Sequence, residues 1–132
     1  MTIVVIAKDF SRFGSLVERL RREKHVELMP VVTGTAGLAH LRGKRVDLVI
    51  VDEQLDDMSG IDFIKQLITV NPLANTALVG ALPEEEFHEV TEGLGVLLQL
   101  PRQPTGQDAE TLLGLMAKIT GLMQPPTVQA AQ

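Results

Sequence analysis

Acidic side chains gather where the most apolar run of the sequence ends. The run 48–51 (L-V-I-V) is rich in β-branched residues, which indicates a strand buried on both faces of a parallel sheet, and Asp52 follows it directly. Three more carboxylates, Glu53, Asp56 and Asp57, come in the next loop. An unpaired charge is costly to bury, and ligands of open α/β sheets bind beyond the carboxyl ends of the strands. Asp52 therefore predicts a functional site at this edge.

A second acid takes the same position after the first strand. Residues 2–7 (T-I-V-V-I-A) form another apolar run, and Lys8 and Asp9 follow it. If the first and third strands are neighbours in the sheet, Asp9 and Asp52 converge on one crevice. Two carboxylates a few ångströms apart repel each other and are commonly stabilised by a divalent cation, so the pair is typical of a Mg²⁺ site.

The elements that must position these acids alternate regularly. Strands are predicted at residues 2–7, 26–32, 48–51, 76–81 and 96–100, and a helical pattern follows each of them. Strict βα alternation implies a parallel sheet with helices on both faces and right-handed crossovers. We therefore predict an α/β fold with a doubly wound, five-stranded parallel sheet in the flavodoxin-like order 2-1-3-4-5, in which strands 1 and 3 are adjacent.

Polar residues mark the helix starts. Ser11 and Ser59 are predicted N-caps, and Asp62 completes an S-x-x-[DE] capping pattern after Ser59. Residues 33–37 (T-G-T-A-G) are interpreted as a strand-to-helix turn and not as a phosphate-binding loop, because the G-x-x-x-x-G-K-[ST] lysine is missing. The fourth helix is expected to turn Val90 towards the core.

The composition excludes several classes of function. The chain of 132 residues is long enough for one domain, and its net charge of −5 argues against a nucleic-acid-binding surface. It has no cysteine, and its only aromatic residues are four phenylalanines, which gives little support for a flavin site. No signal peptide or membrane-length apolar run is visible, so a cytoplasmic protein without a membrane partner is expected.

Four short motifs make the chain resemble the receiver domain of two-component response regulators, over roughly residues 2–123. K-D-F-S at 8–11 matches the acidic turn after strand 1, and V-D at 51–52 matches the phosphoacceptor aspartate. M-S-G at 58–60 matches the downstream Met-x-Gly, and L-P at 100–101 falls on the Lys-Pro after strand 5. The combination is fairly specific, whereas each motif alone is weak.

The resemblance implies a signalling domain rather than an enzyme. Asp52 would accept a phosphoryl group, with a histidine kinase or another signalling protein as the partner. Asp9, Asp52 and the backbone carbonyl of Gln54 would hold Mg²⁺. In-line phosphoryl transfer depends on such a metal and on positive charge near the phosphoryl oxygens.

The chain departs from the family at the residues that read the phosphoryl group. Lys8 replaces the first acid of the strand-1 pair, Gly80 replaces the hydroxyl residue that ends strand 4, and Leu100 replaces the lysine before the proline. Leu97 stands at the aromatic switch position, and Asp56 stands where a loop proline is usual. Mg²⁺ is therefore expected to bind weakly or not at all. Lys8 and Arg102 are the candidates to supply the missing positive charge, with a Lys8 that points to solvent as the equal alternative.

Three hypotheses stay open at this point. The first is a degenerate receiver of a phosphorelay that still takes phosphate on Asp52. The second is a pseudo-receiver, which keeps the fold and acts as a protein–protein interaction module without phosphorylation. The third, a flavodoxin-like or nucleotide-binding enzyme, has little support because a suitable phosphate loop is missing.

The end of strand 5 and the end of the chain carry further expectations. By the resemblance, the Leu100–Pro101 bond is predicted to be cis. Residues 1–123 are expected to form one receiver-like domain and residues 124–132 a linker or tail of a longer protein, with the last helix ending at Gly121. A homodimer is expected through helix 4, strand 5 and helix 5 if Leu97, Leu115 and Met123 leave apolar surface there, and the alternative is that they complete the core.

Overall fold

The sheet has five parallel strands in the order β2-β1-β3-β4-β5, which confirms the predicted topology. The computed structural model describes residues 1–123, with side chains to Thr120. The strands are β1 Thr2–Ile6, β2 Glu27–Val31, β3 Leu48–Asp52, β4 Asn75–Val79 and β5 Val96–Leu100. The helices are α1 Gly14–Arg21, α2 Gly34–Leu41, α3 Gly60–Val70, α4 Glu84–Thr91 and α5 Gly106–Met123, and a 3₁₀ turn, Ser11–Phe13, precedes α1.

Parallel register brings the ends of the central strands to one edge. Ile6 lies opposite Val51, and Asp52 lies opposite Val79. The residues that follow β1, β3 and β4 therefore share the carboxyl edge, as the position of ligand sites in open α/β sheets requires.

Two hydrophobic clusters cover the two faces of the sheet. In β1, Ile3 and Val5 belong to the cluster under α1 and α5, whereas Val4 and Ile6 belong to the cluster under α2, α3 and α4. All five residues of β3 are buried. This alternation explains why β3 is an unbroken apolar run: successive side chains point into opposite cores.

Helix α2 begins earlier than the sequence pattern suggests. Thr33 is its N-cap, because the Thr33 hydroxyl accepts a hydrogen bond from the Ala36 N–H at 3.1 Å. The Asp57 carboxylate accepts the N–H groups of Gly34 and Thr35 at 2.9 and 2.8 Å. Residues interpreted as a turn are thus the first turn of a helix whose free N–H groups are satisfied from the loop after β3.

Two expectations, on Val90 and on the end of α5, are wrong, and a third concerns residues that the structure does not describe. Val90 of α4 is 37% exposed and does not face the core. Helix α5 continues past Gly121 to Met123. The tail 124–132 lies beyond the residues that the structure describes. Over residues 1–123, no helix is both long enough and apolar enough to cross a membrane.

The prediction of a cis bond at Leu100–Pro101 is wrong, because the described residues contain no cis peptide bond. The Leu100 carbonyl accepts the Gly80 N–H at 2.9 Å, so β5 stays in the sheet to its last residue. The Leu100 side chain is 1% exposed and belongs to the core under α1 and α5. Leu100 stands in place of the lysine that would point into the site, and the bond to Pro101 has the trans form that X–Pro bonds ordinarily prefer.

Candidate functional site

A polar hollow of about 470 Å³ opens at the carboxyl edge of the sheet. It is bounded by the loops after β1, β3 and β5. Its lining residues are Lys8, Arg12, Asp52, Glu53, Gln54 and Arg102. Three basic and two acidic side chains meet here, which is a balance different from the acidic pocket that the sequence pattern predicts.

Both oxygens of the Asp52 carboxylate have partners within the protein. Oδ2 forms an ion pair with Nη2 of Arg12, and Oδ1 accepts the backbone N–H of Glu53 at 2.9 Å. The residue is only 2% exposed. A buried carboxylate is costly unless it is paired and hydrogen-bonded, and Arg12 supplies the compensating charge.

Arg12 is held in place from several sides. It lies in the 3₁₀ turn, where its guanidinium carbon is 5.4 Å from the centre of the Phe13 ring, a cation–π distance. Its Nη1 donates to the backbone carbonyl of Arg102 at 2.5 Å. Arg12 thus links the loop after β1 to Asp52 at the end of β3 and to the loop after β5.

A second arginine ties the same loops together. Arg102 donates from Nε to Oε2 of Glu53 at 2.6 Å and from Nη2 to Oε1 at 3.3 Å. Hydrogen bonding to Glu53 raises the pKa of Arg102 above its ordinary value. Arg102 does reach back to the site, as expected, but its partner is Glu53 and not Asp52.

The four residues named from the sequence fall into two groups. Asp52, Lys8 and Gln54 line the hollow together. Asp9 is exposed and does not line it; its Oδ1 accepts the Ser11 N–H at 2.9 Å and so shapes the turn that carries Arg12. That backbone hydrogen bond is the main cause of a lowered pKa at Asp9.

The arrangement does not fit a divalent cation. Arg12 occupies the Asp52 oxygen that a metal would need, and a guanidinium beside the site repels a second cation. Residues 1–123 contain no group of three acidic or histidine side chains placed to hold a metal ion. The metal set of Asp9, Asp52 and Gln54 therefore stays a prediction from the sequence.

The loop between β4 and α4 is fixed by a side chain of β5. Gln99 accepts the Leu82 N–H with Oε1 and donates from Nε2 to the Leu82 carbonyl, both at 2.9 Å. Gly80 lies just before this loop and offers no hydroxyl, and a Cβ built there would come within 3.1 Å of Gln99 Oε1. The β4–α4 loop would have to move towards a phosphoryl group on Asp52, and Gln99 anchors this loop to β5.

The loop after β3 is equally constrained. Asp57 accepts three hydrogen bonds from the start of α2, the third from the Thr35 hydroxyl at 2.6 Å, and these bonds lower its pKa to about 2. Gly60 begins α3 where a Cβ would lie 2.3 Å from the Asp52 carbonyl oxygen, so only glycine fits this close approach. The M-S-G motif thus has a steric reason in this chain.

Sequence reasoning missed Arg12 and the Gln99 contact, and it named Arg102 without its partner Glu53. A signal for Arg12 existed in the sequence, since it follows Asp9 by three residues in a loop that must reach the carboxyl edge. Its pairing with Asp52, 40 positions away, depends on the 3₁₀ turn, and local sequence patterns do not specify that turn.

Several solved structures are similar to this chain in fold. A CheY-like response regulator receiver domain protein from Methanospirillum hungatei JF-1 is 18% identical, with a TM-score of 0.75 over 89% of this chain and 94% of that one. A response regulator receiver domain protein from Clostridium thermocellum is 18% identical, with a TM-score of 0.76 over 93% and 98%. The chemotaxis response regulator CheY4 of Vibrio cholerae is 15% identical, with a TM-score of 0.75 over 87% and 97%.

These structural matches stand without support from sequence comparison. No protein-family model matches the chain, and no curated protein matches it. At identities below one fifth, the likeness to the three structures speaks for the architecture and not for the chemistry. The chain has the fold of response regulator receiver domains.

Proposed function

We propose that this protein is a signalling module with a receiver fold that acts through protein–protein contacts and does not depend on phosphorylation of Asp52. The observation that carries the proposal is the commitment of both Asp52 oxygens, one to Arg12 and one to the Glu53 N–H, in a side chain that is 2% exposed. In-line attack on a phosphoryl donor needs a free carboxylate oxygen and a cation on the phosphoryl group. Here Oδ2 of Asp52 is paired with Arg12, so neither that oxygen nor the guanidinium is available for a phosphoryl group.

The readout positions support the same proposal. Gly80 has no side chain to follow a phosphoryl group, Leu100 is buried in the core, and Gln99 anchors Leu82. A state change at Asp52 therefore lacks a path to α4 and β5. The partner is another signalling protein that recognises the folded domain in its single state.

The test is the mass of the intact protein after incubation with Mg²⁺ and acetyl phosphate. Wild type is expected to gain no phosphoryl group. Arg12→Ala frees one oxygen of Asp52, and Arg12→Ala/Asp52→Asn is its matched control for labelling at any other residue. Wild-type labelling that Asp52→Asn abolishes would contradict the proposal.

The second candidate is the phosphoacceptor domain, and one observation favours it. Lys8, Arg12 and Arg102 all line the hollow at Asp52, so positive charge is present where phosphoryl oxygens would lie. In this alternative a histidine kinase would be the donor, and Arg12 would have to swing from Asp52 to the phosphoryl group. Slow labelling of wild type that is lost in both Asp52→Asn and Arg12→Ala would favour it, because the first proposal expects no labelling of wild type.

A further inference from the structure

Half of the twelve lysine and arginine side chains lie at the amino edge of the sheet, opposite the edge that carries Asp52. The basic edge consists of Arg21, Arg22, Lys24, Arg42, Lys44 and Arg45, where α1 and α2 lead into β2 and β3. All six are exposed, and none pairs with a carboxylate among residues 1–123. They are free to meet an acidic surface.

Few acids within the same segments oppose this charge. Of the three carboxylates there, Glu23 is paired with Arg19 at 2.7 Å and Asp47 accepts the Thr2 N–H at 2.8 Å. Glu27 is the third and is exposed. The basic edge therefore keeps a net positive charge in a protein whose total is −5.

Two adjoining hollows, of about 790 and 740 Å³, lie beside the basic edge. They share Arg45, Asp47, Met116 and Thr120, so they form one depression across the end of the sheet. Its lining also has an apolar part, made by Val26, Leu113, Ile119 and Leu73. Leu73 is 86% exposed, the highest exposure of any large apolar residue in the described part of the chain.

Helix α4 carries the opposite charge. The acidic helix face consists of Glu84, Glu85, Glu86, Glu89 and Glu92, all of them exposed, and the helix contains no lysine or arginine. Among the described side chains, its one contact with a basic group is that of Glu84 with the His88 imidazole at 3.8 Å, which is an ion pair only when His88 is protonated. Val90 is 37% exposed on the same helix, so the helix offers an apolar group together with its carboxylates.

We propose that the acidic helix face of one copy docks into the depression at the basic edge of a second copy. Carboxylates of the acidic helix face would meet Lys44 and Arg45 in the depression and the rest of the basic edge beside it, and Val90 would meet the apolar lining. A long polyanion is a poorer occupant, because it would extend from the basic edge over a protein of net charge −5. The contact is heterologous, so copies associate head to tail, and it does not depend on the state of Asp52.

The first test is the mass of the full chain in solution as a function of concentration and salt. At about 20 mM salt the charges act over roughly 20 Å, and at about 500 mM over only a few ångströms. The weight-average mass from sedimentation equilibrium should rise above the monomer with concentration at low salt and return to the monomer at high salt. A strict monomer in low salt overturns the proposal.

Charge-reversal variants identify the surfaces. Lys44→Glu/Arg45→Glu and Glu86→Lys/Glu89→Lys should each weaken self-association by roughly tenfold or more, and an equimolar mixture of the two should associate again. Lys65→Glu/Lys118→Glu, with the same charge change at exposed positions outside the depression, is the matched control and should associate like wild type. Circular dichroism melting checks that each variant folds.

Other occupants of the depression give different results. A symmetric dimer through α4, β5 and α5 would form equally well with Lys44→Glu/Arg45→Glu. Mixing the two charge-reversal variants would then not restore association. A wild-type monomer that instead binds duplex DNA or vesicles of anionic lipid through Lys44 and Arg45 would assign the basic edge to a polyanion. Either result overturns the proposal.

Discussion

Arg12 is the residue that decides what Asp52 can do. Removing one partner of a fully buried ion pair typically costs about 3–5 kcal/mol, because the other charge is left without compensation. The Arg12 side chain is 37% exposed, so solvent screens part of its interaction with Asp52. We expect Arg12→Ala to lower the free energy of unfolding by about 1–2 kcal/mol in urea titrations at neutral pH.

A double-mutant cycle separates this pair from the other contacts of Arg12. Asp52→Asn keeps the shape of the side chain and removes its charge, so Arg12→Ala should cost less in that background, with a coupling energy of about 1 kcal/mol. Arg12 also contacts Phe13 and the Arg102 carbonyl, and these contacts remain in the Asp52→Asn background. A coupling energy near zero would mean that the ion pair does not stabilise the fold.

Asp57 gives the fold a pH dependence in acid. Its pKa falls from 3.8 to about 2, with the hydrogen bond from the Thr35 side chain as the largest cause. The folded state therefore favours the ionised form. Its contribution to stability is full above pH 4 and is lost as the pH falls from about 4 towards 2. Wild type should lose stability in this window more steeply than Asp57→Asn.

The measurement is urea unfolding between pH 5 and pH 2. Asp56→Asn is the matched control, because Asp56 is an exposed acidic neighbour of Asp57. Equal slopes for wild type and Asp57→Asn would contradict the role given to the contacts with Gly34 and Thr35.

Among the elements, the predicted N-cap at Ser11 is wrong, because Ser11 lies within the 3₁₀ turn and α1 begins at Gly14, whereas β3 and the start of α3 were predicted correctly. The strand β3 was predictable because its apolar run is unbroken. The start of α3 was predictable from its capping pattern, and Ser59 Oγ accepts the Asp62 N–H at 3.0 Å. The start of α2 was missed because Asp57, 23 positions further on, supplies part of its cap. A short stretch of sequence does not predict a helix start that depends on a residue far away in the chain.

The β4–α4 loop is the element whose rigidity can be tested most directly. Gln99→Ala would leave the Leu82 N–H and C=O without their partner in a partly buried position, at a cost of about 1–2 kcal/mol. The Leu82 amide should then exchange its hydrogen faster in native-state exchange measured by NMR. Gln103→Ala, at an exposed glutamine, is the control. Unchanged exchange at Leu82 would mean that Gln99 does not hold the loop.

At the scale of the whole molecule, the topology was predictable and the charge balance of the site was not. Alternating elements lead to the order 2-1-3-4-5, since parallel strands need crossover helices. In that order Lys8, Asp52 and Gln54 line one hollow, whereas Asp9 does not. The rotamer and turn that place Arg12 against Asp52 depend on tertiary packing, so the sequence predicts the acids at this edge but not the ion pair.

These constraints together lead to a prediction for the response of the whole domain to a phosphoryl mimic. Beryllofluoride with Mg²⁺ must displace Arg12 from Asp52, and Gly80 offers nothing that could transmit the change. Gln99 holds Leu82, and Asp57 holds α2. A ligand shifts a conformational equilibrium only by its differential affinity for the two states, and here the second state lacks the contacts that would favour it.

The measurement is a pair of amide NMR spectra with and without the mimic. We expect no shifts, or shifts confined to the loops around Asp9 and Asp52, with the resonances of α4 and β5 unchanged. Arg12→Ala should bind the mimic more readily, because Oδ2 of Asp52 is then free, yet α4 should still not respond, because Gln99 is intact. Asp52→Asn controls for binding elsewhere. Large shifts across α4 and β5 in wild type would show that the domain switches despite Gly80 and Gln99. Such shifts would favour a function that depends on phosphorylation of Asp52.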